Sequence, residues 1–207
     1  MRSFLRIALL TAVVGLPAVA SALSWAPAHE EVSAGGVLFI PDDQHGLYNT
    51  GYGAEAQYRY WFTDDWGLAL AAGVVRYNVK HDESDFAPGT AGTVDTVPLG
   101  ASVLYEVYRD GAFRVIAEGG LRYLLVGADA TALDSAGRRV DLHIENGLLG
   151  VLAANAEWAL TKRLALCGSL GYQKDLGKQP INVVGEGDLK DNEFKGFVLQ
   201  LGARVSF

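Results

Sequence analysis

From about residue 30 to its end, the chain alternates apolar side chains with polar or small ones at a period of two residues. This period is typical of β-strands, because successive side chains of a strand point to opposite faces. The alternation predicts eight strands: residues 31–40, 50–62, 66–79, 96–108, 112–126, 142–160, 163–173 and 194–207. The sixth run is the longest, and we expect only its second half to lie at the depth of the others.

The connections between these runs alternate strictly between long and short. Three are tight and polar, namely Thr63-Asp64-Asp65, Arg109-Asp110-Gly111 and Thr161-Lys162. Four are longer and rich in Gly, Asp and Pro, namely 41–49, 80–95, 127–141 and 174–193. In an up-and-down meander all long loops therefore share one end of the sheet, and both chain termini lie at the other. Outer-membrane barrels have this layout, with short periplasmic turns and long external loops.

The first 22 residues have the parts of a secretory signal peptide. Arg2 and Arg6 supply a basic start, residues 7–19 are apolar and uncharged, and Ala20-Ser21-Ala22 is a small-residue cleavage site. The apolar run is short for a bilayer-spanning helix, which needs about 20 residues. We expect residues 1–22 to be removed, residues 23–30 to form a short lead and residues 31–207 to form the barrel.

Composition excludes several classes of function. The 207 residues include 24 acidic and 17 basic side chains, for a net charge of -7, and a single cysteine. One cysteine makes no internal disulfide and no Cys-rich zinc site. A net negative chain without a Lys/Arg cluster is a poor nucleic-acid binder. We therefore expect no nucleic-acid partner, no metal site and no cofactor.

The two faces of the predicted strands differ in their chemistry. One face is apolar in every strand, and the other mixes glycine with charged residues. The charged positions on this second face are Glu55, Arg59, Glu106, Arg114, Glu118, Arg122, Glu157 and Arg204. Four acids against four bases indicate an enclosed lumen, because buried charges must be paired. A soluble barrel has the opposite polarity, apolar inside and polar outside, and it stays open as an alternative together with a sandwich.

Aromatic residues of the apolar face cluster near the short turns. They are Tyr60, Phe62, Trp66, Tyr105, Phe113, Trp158 and Phe207. Such clustering predicts a belt at a membrane–water interface.

The chain resembles the small eight-stranded outer-membrane barrels of the OmpA/OmpX type over residues 31–207. The most specific element of the resemblance is the terminal alternation of Phe197, Leu199, Leu201, Ala203, Val205 and Phe207, which is similar to the signature by which the barrel-assembly machinery selects its clients. The resemblance implies an all-β, eight-stranded antiparallel transmembrane barrel in a Gram-negative outer membrane. It also implies periplasmic termini, contact with outer-membrane lipid and lipopolysaccharide, and a monomer.

The charged lumen has two interpretations. The first is an electrostatic plug that closes the barrel, and the second is a narrow gated path for small solutes. An eight-stranded barrel has an interior that side chains just fill, which favours the plug.

Enzymatic chemistry is a third hypothesis. Barrels that deacylate lipid A carry a His-x-Ser-Asn element, whereas His143-Ile144-Glu145-Asn146 has Glu where the nucleophilic Ser belongs. Ser135 lies eight residues away from His143 at no diagnostic spacing, and Cys167 fits a small buried residue. We predict a non-enzymatic barrel that stabilises the envelope or displays loops to an unidentified external ligand. The alternatives are the gated channel and a lipid A-modifying hydrolase or acyltransferase.

The long loops are acidic, with 14 acidic and 6 basic residues. Carboxylate oxygens suit hard cations, but the spacing matches no calcium loop. Sharing of divalent cations with lipopolysaccharide phosphates is a further hypothesis.

Overall fold

A computed structural model describes residues 29–42, 48–79, 91–133, 139–177, 179–183, 187–192 and 194–207. The expected signal peptide, residues 1–22, lies outside these ranges, as does nearly all of the expected lead. Every regular element within them is a β-strand. They contain no helix long and apolar enough to cross a membrane.

The strands, in chain order, are β1 (His29–Pro41), β2 (Tyr48–Trp61), β3 (Trp66–Val79), β4 (Ala91–Asp110), β5 (Phe113–Leu133), β6 (Arg139–Ile144), β7 (Gly147–Ala159), β8 (Leu164–Asp175), β9 (Gln179–Val183), β10 (Gly187–Asn192) and β11 (Lys195–Ser206). Eight of them, all except β6, β9 and β10, form one antiparallel ring in chain order. The ring closes where β1 pairs with β11, from Glu31 opposite Ser206 to Pro41 opposite Gly196. The predicted eight-stranded antiparallel barrel is therefore confirmed.

Short turns join the barrel strands at one end, which we call the turn end; the other is the loop end. Two of these turns use the same device. The Thr63 hydroxyl oxygen accepts a hydrogen bond from the amide of Trp66 at 2.8 Å, and the Thr161 hydroxyl oxygen accepts one from Leu164 at 3.0 Å. Side-chain oxygens that bind nearby backbone amides stabilise tight turns. In the third turn Gly111 has φ of 56°, a conformation that suits glycine.

Several strands are longer or more divided than the alternation predicts. β4 begins at Ala91 instead of residue 96, and β5 continues to Leu133 instead of residue 126. These extensions pair with each other, from Ala91 opposite Thr131 to Asp95 opposite Gly127. They carry Thr and Asp among apolar residues, because a strand that projects beyond the bilayer no longer needs an apolar outer face. The segment 174–193, expected as a loop, contains the hairpin of β9 and β10.

The sixth predicted strand, 142–160, is two strands. β6 pairs with the extension of β5 on one side and with β9 on the other, while β7 pairs with β5 from Leu124 opposite Gly147 onward. At the break, the Asn146 side-chain oxygen accepts a hydrogen bond from the amide of Val126 at 2.9 Å. This side chain therefore replaces a backbone partner where the ladder is interrupted.

The outward face of the barrel is apolar. Leu201 and Leu152 are 75% and 71% exposed. Exposing such large apolar side chains to water is unfavourable, whereas contact with lipid is not. On β11 the outward apolar run extends from Phe197 to Phe207, which matches the 9–11 residues of a membrane-spanning strand. The surface is that of an integral membrane barrel.

Candidate functional site

The lumen at the turn end is organised around Glu31, which is 1% exposed. Arg114 Nη2 donates hydrogen bonds to both of its carboxylate oxygens, at 2.8 and 2.7 Å. Arg204 Nη1 donates at 3.0 Å and Trp61 Nε1 at 2.9 Å. The Arg114 guanidinium also lies 5.3 Å from the centre of the Trp61 ring, within cation–π range. With the Ser206 hydroxyl, which donates at 3.4 Å, five donated hydrogen bonds hold this one buried carboxylate.

Glu157 is the second carboxylate of this group and is also 1% exposed. Arg114 donates to it from Nε at 2.9 Å and from Nη2 at 2.7 Å. Arg59 Nη1 donates to the other oxygen of Glu157, Oε1. Arg204 Nε lies 2.9 Å from Oε2, the oxygen that Arg114 binds. Glu31 and Glu157 together therefore face three guanidinium groups, which leaves one excess positive charge at this level.

A further ion pair covers the turn end of the group. Arg109, near the end of β4 and just beyond a bulge between Glu106 and Tyr108, donates two hydrogen bonds of 2.5 Å to the carboxylate of Glu106. The Arg109 side chain is 55% exposed, while that of Glu106 is 6% exposed and lies 3.8 Å from Arg114. The pair therefore links the buried charges to the solvent at the barrel mouth.

Nearer mid-lumen, Arg122 binds Glu55 through contacts of 2.8 and 3.0 Å. Glu118 accepts hydrogen bonds from the amides of Gln57 and Asn155, each at 3.1 Å. The Gln57 oxygen in turn accepts a hydrogen bond from Arg59 Nε. Gln57 therefore connects the excess positive charge at the turn end to the carboxylate of Glu118.

Together these groups form what we call the lumenal network. Its members are the carboxylates of Glu31, Glu55, Glu106, Glu118 and Glu157, the guanidinium groups of Arg59, Arg109, Arg114, Arg122 and Arg204, and the amides of Gln57 and Asn155. Five negative and five positive charges make the network neutral. This matters because each unpaired buried ion costs several kcal/mol.

Apolar side chains fill the lumen between the network and the loop end. Phe194 is 1% exposed and lies 4.7 Å, ring centre to ring centre, from Phe39. Its ring is 5.2 Å from Tyr48 and 5.3 Å from Tyr77. The backbone amide of Phe194 donates to the Asp175 carboxylate at 2.8 Å. We call these four rings the aromatic stopper, because they close the lumen at the loop end.

Cavity volumes show how far the lumen is filled. A cavity of about 280 Å³ opens at the turn end and ends at Glu31 and Glu157. Beyond these residues, a lumenal void beside Arg59 and Asn155 measures about 10 Å³. A space of this size is at the lower limit for one water molecule.

Comparison with family models and with curated proteins finds no match. Solved structures do match. The outer membrane protein OprG from Pseudomonas aeruginosa has a TM-score of 0.64 and 16% identity, covering 86% of this chain and 95% of that one. AlkL, determined in lipid bilayers, has a TM-score of 0.58 and 14% identity, covering 89% and 92%. A major outer membrane protein from Thermus thermophilus has a TM-score of 0.57 and 19% identity, covering 88% and 100%.

The chain has the fold of the small outer-membrane barrels. At identities of 14–19% the similarity establishes the architecture of the barrel.

The structure places the eight charged residues singled out from the sequence inside the barrel. Each is at most 8% exposed, and each has a hydrogen bond or an ion pair within the network: Glu55, Arg59, Glu106, Arg114, Glu118, Arg122, Glu157 and Arg204. Sequence reasoning missed Glu31 and Arg109. The alternation of β1, with Val32 and Leu38 outside, assigns Glu31 to the lumen, but Glu31 begins the predicted strand and was not assigned a face.

The residues singled out on the outer face lie on the outside of the barrel. Trp66, Tyr105 and Trp158 are 40–58% exposed near the turn end, and the Trp66 and Tyr105 rings are 4.7 Å apart. Tyr60 and Phe113 are half-buried, and Phe62 is exposed. In the terminal pattern, Phe197, Leu199, Leu201, Val205 and Phe207 are 38–76% exposed.

The structure describes only some of the other candidates from the sequence. Cys167 is half-buried, opposite Glu157 on the neighbouring strand. Glu145 is exposed, while Ser135 lies outside the described residues. No group of three His, Cys, Asp or Glu side chains in the described ranges is placed to hold a metal ion.

Proposed function

We propose that this protein is an integral outer-membrane barrel with a closed lumen, which acts without enzymatic chemistry by stabilising the envelope or presenting its loops to a binding partner. The observation that carries the proposal is the neutral lumenal network. Its five carboxylates and five guanidinium groups balance in charge, and each carboxylate is held either by a guanidinium group or, for Glu118, by side-chain amides. The aromatic stopper adds a second closure on the loop side.

The proposal includes the orientation and the partners of the barrel. The turn end and both termini face the periplasm, as expected for a chain inserted from that side. The outward side chains contact outer-membrane lipid and lipopolysaccharide, the turn-end aromatics form the inner interfacial belt, and the terminal pattern from Phe197 to Phe207 is the assembly signal. The barrel works as a monomer. The apolar outward positions support these assignments.

Liposome swelling tests the closed lumen. Proteoliposomes containing the refolded chain should swell in a small sugar no faster than empty liposomes, because no solute-sized path passes the network. The triple variant Arg59→Ala with Glu118→Ala and Phe194→Ala removes a matched pair of charges and the central ring of the aromatic stopper, and it should increase the rate of swelling. Rapid swelling with the unaltered chain, at verified insertion, contradicts the proposal.

A gap in the ladder between β3 and β4 favours a second candidate, the passage of small apolar molecules. β3 and β4 pair at Ala72 opposite Leu99 and at Val75 opposite Thr96. The two positions between these pairs, which include Pro98, are unpaired across the strands. Proline weakens a strand ladder, because it has no amide hydrogen. The gap lies beside Val75 of the apolar cluster, so a local opening of the ladder at this point would give apolar molecules a route to the bilayer that avoids the charged network.

Restoring the ladder separates the two candidates. Pro98→Val adds an amide hydrogen and should leave swelling in sugar unchanged. If the wall conducts apolar molecules, the variant should lower the rate at which proteoliposomes take up an apolar fluorescent dye by about tenfold, relative to Pro41→Val outside the gap. Equal uptake by both variants and by empty liposomes rules out this second candidate.

A further inference from the structure

A groove crosses the outer face of the barrel on one side. It has a volume of about 690 Å³, within the range of about 300–1,000 Å³ that is typical of small-molecule pockets. Two rows of outward side chains border the groove, and cross-strand pairing joins the members of each row. The first row is Val32, Tyr58, Leu70, Ala101 and Leu121, and the second is Ala56, Ala72, Leu99, Tyr123 and Leu148. The groove therefore runs across the strands and not along them.

Small side chains give the groove its depth. Ala56 and Ala72 are direct cross-strand partners, and Ala101 lies one row away on β4. Leucine side chains on both sides of these alanines are 39–50% exposed, namely Leu70, Leu99 and Leu121. The groove therefore has a floor of alanine between walls of leucine.

The groove rises through about one leaflet of the membrane. It begins beside Val32, near the turn end of β1, and it reaches Tyr123, well above the turn end of β5. Adjacent strands lie about 4.8 Å apart, so the interstrand steps from β1 through β2, β3, β4 and β5 to β7 measure about 24 Å in total. With strands tilted by about 45°, this length gives a rise of about 17 Å, roughly half of the 30 Å hydrocarbon core.

An acid lies at the turn-end entrance of the groove. Glu30 precedes the outward run from Val32 to Ile40 on β1 and has the same parity. This run has the length of one bilayer crossing, so the Glu30 carboxylate lies at the level of the lipid headgroups. The Tyr58 hydroxyl lies beside the carboxylate. Within the part of the chain that the structure describes, no lysine or arginine pairs with Glu30.

We infer that the groove holds one acyl chain of a phospholipid whose headgroup carries a primary ammonium, and that this ammonium binds Glu30. An acyl chain is the occupant because lipid surrounds the outer face of the barrel, and the charge of Glu30 favours a cationic headgroup. A primary ammonium offers three N–H donors to the carboxylate, whereas a trimethylated ammonium offers none. The inference rests on the membrane placement in the proposed function and is independent of a closed lumen.

Native mass spectrometry of the refolded mature chain in neutral detergent tests the headgroup. Phosphatidylethanolamine, phosphatidylcholine and phosphatidylglycerol with identical acyl chains are added in separate arms. The unaltered chain should retain one phosphatidylethanolamine molecule about tenfold more strongly than either other lipid, since one charge-assisted hydrogen bond has about this effect. Glu30→Gln should reduce this retention to the level of phosphatidylcholine, and it should leave phosphatidylcholine retention within about twofold.

Filling the groove tests where the acyl chain lies. Ala72→Leu places a larger side chain on the floor and should lower the retention of all three lipids by about tenfold. Ala101→Leu, on the same floor, should act in the same way. Ala156→Leu is the matched control, because Ala156 is an exposed outward alanine of β7 away from the groove. The control should change retention by less than about twofold, and heat-dependent mobility on gels verifies that each variant is folded.

Four results overturn the inference. Three are equal retention of phosphatidylethanolamine and phosphatidylcholine, undiminished retention by Glu30→Gln, and equal losses in Ala72→Leu and Ala156→Leu. The fourth is a dimer in the lipid-free spectrum that Ala72→Leu disrupts, which would identify a second copy of the chain as the occupant. A folded barrel without lipid preference contradicts this inference alone, because liposome swelling tests the closed lumen separately.

Discussion

Glu31 and Arg114 lie on opposite walls of the barrel and are joined across the lumen by hydrogen bonds of 2.7 and 2.8 Å. Their strands, β1 and β5, are separated by three strands in either direction around the ring of eight. Arg59 and Glu157, on β2 and β7, span the lumen in the same way. Ion pairs therefore tie opposite walls together at the turn end, where the network closes the barrel.

Replacing Glu31 with Gln should be strongly destabilising. The variant leaves three guanidinium groups around the single carboxylate of Glu157, and breaking a buried ion pair from one side costs about 3–5 kcal/mol. The free energy of unfolding in urea, followed by tryptophan fluorescence in lipid vesicles, measures the effect. Glu30→Gln, one residue earlier on the outer face, should cost less than about 1 kcal/mol. Equal losses in the two variants would show that the cross-lumen ties contribute little.

The Glu55–Arg122 pair should behave as a coupled unit. Glu55→Met leaves a buried guanidinium without its partner and should cost about 3–5 kcal/mol. Adding Arg122→Met removes the unpaired charge, so the double variant should recover most of the loss. A double-mutant cycle of unfolding free energies measures this coupling. Losses that simply add would mean that the two charges are solvated independently of each other.

Removal of the central ring of the aromatic stopper should open a cavity. Phe194→Ala deletes a side chain that contacts three other buried rings, and such changes cost about 3–5 kcal/mol. Phe197→Ala, three residues later on the outer face where the side chain is 45% exposed, is the control and should cost clearly less. Refolded proteins compared by urea unfolding give both values. A smaller loss for Phe194→Ala than for the control is incompatible with a packed stopper.

The alternation of the sequence predicted the barrel, because each strand separates two environments. Outward positions such as Leu199 and Leu201 contact lipid, while positions such as Glu118 and Arg122 lie in an enclosed lumen. The pattern therefore carries both the number of strands and the face of each residue. The short turns were equally readable, since Thr161-Lys162 and Thr63-Asp64-Asp65 contain the polar groups that tight turns use.

The aromatic stopper could not be derived in the same way. Phe39 and Tyr77 have lumenal parity, yet the expectation was a lumen of glycine and charge throughout. Which lumenal residues meet depends on the tilt of the strands and their register around the ring, and one sequence does not specify these. Phe194 follows a long connection, so its position against Phe39 depends on how that connection folds back.

The pairing of charges was also hidden from sequence. Counting four acids and four bases indicated balance, but Glu118 is held by amides and not by a guanidinium group. Arg109 belongs to a predicted polar turn, but it lies in β4, and its contact with Glu106 follows a bulge between Glu106 and Tyr108 that the sequence does not reveal. The equal numbers of lumenal acids and bases can be counted in the sequence, whereas the partner of each charged side chain depends on the three-dimensional structure.

Conductance of the refolded mature chain in a planar lipid bilayer tests the closed lumen most directly. Insertion is verified beforehand by protease protection and by the heat-dependent mobility of the folded barrel on gels. We predict a silent bilayer for the unaltered chain and discrete ion conductance for the variant Arg59→Ala with Glu118→Ala and Phe194→Ala, which opens both the network and the aromatic stopper. Steady channels from the unaltered chain would contradict it and show that the lumenal network is a conducting path.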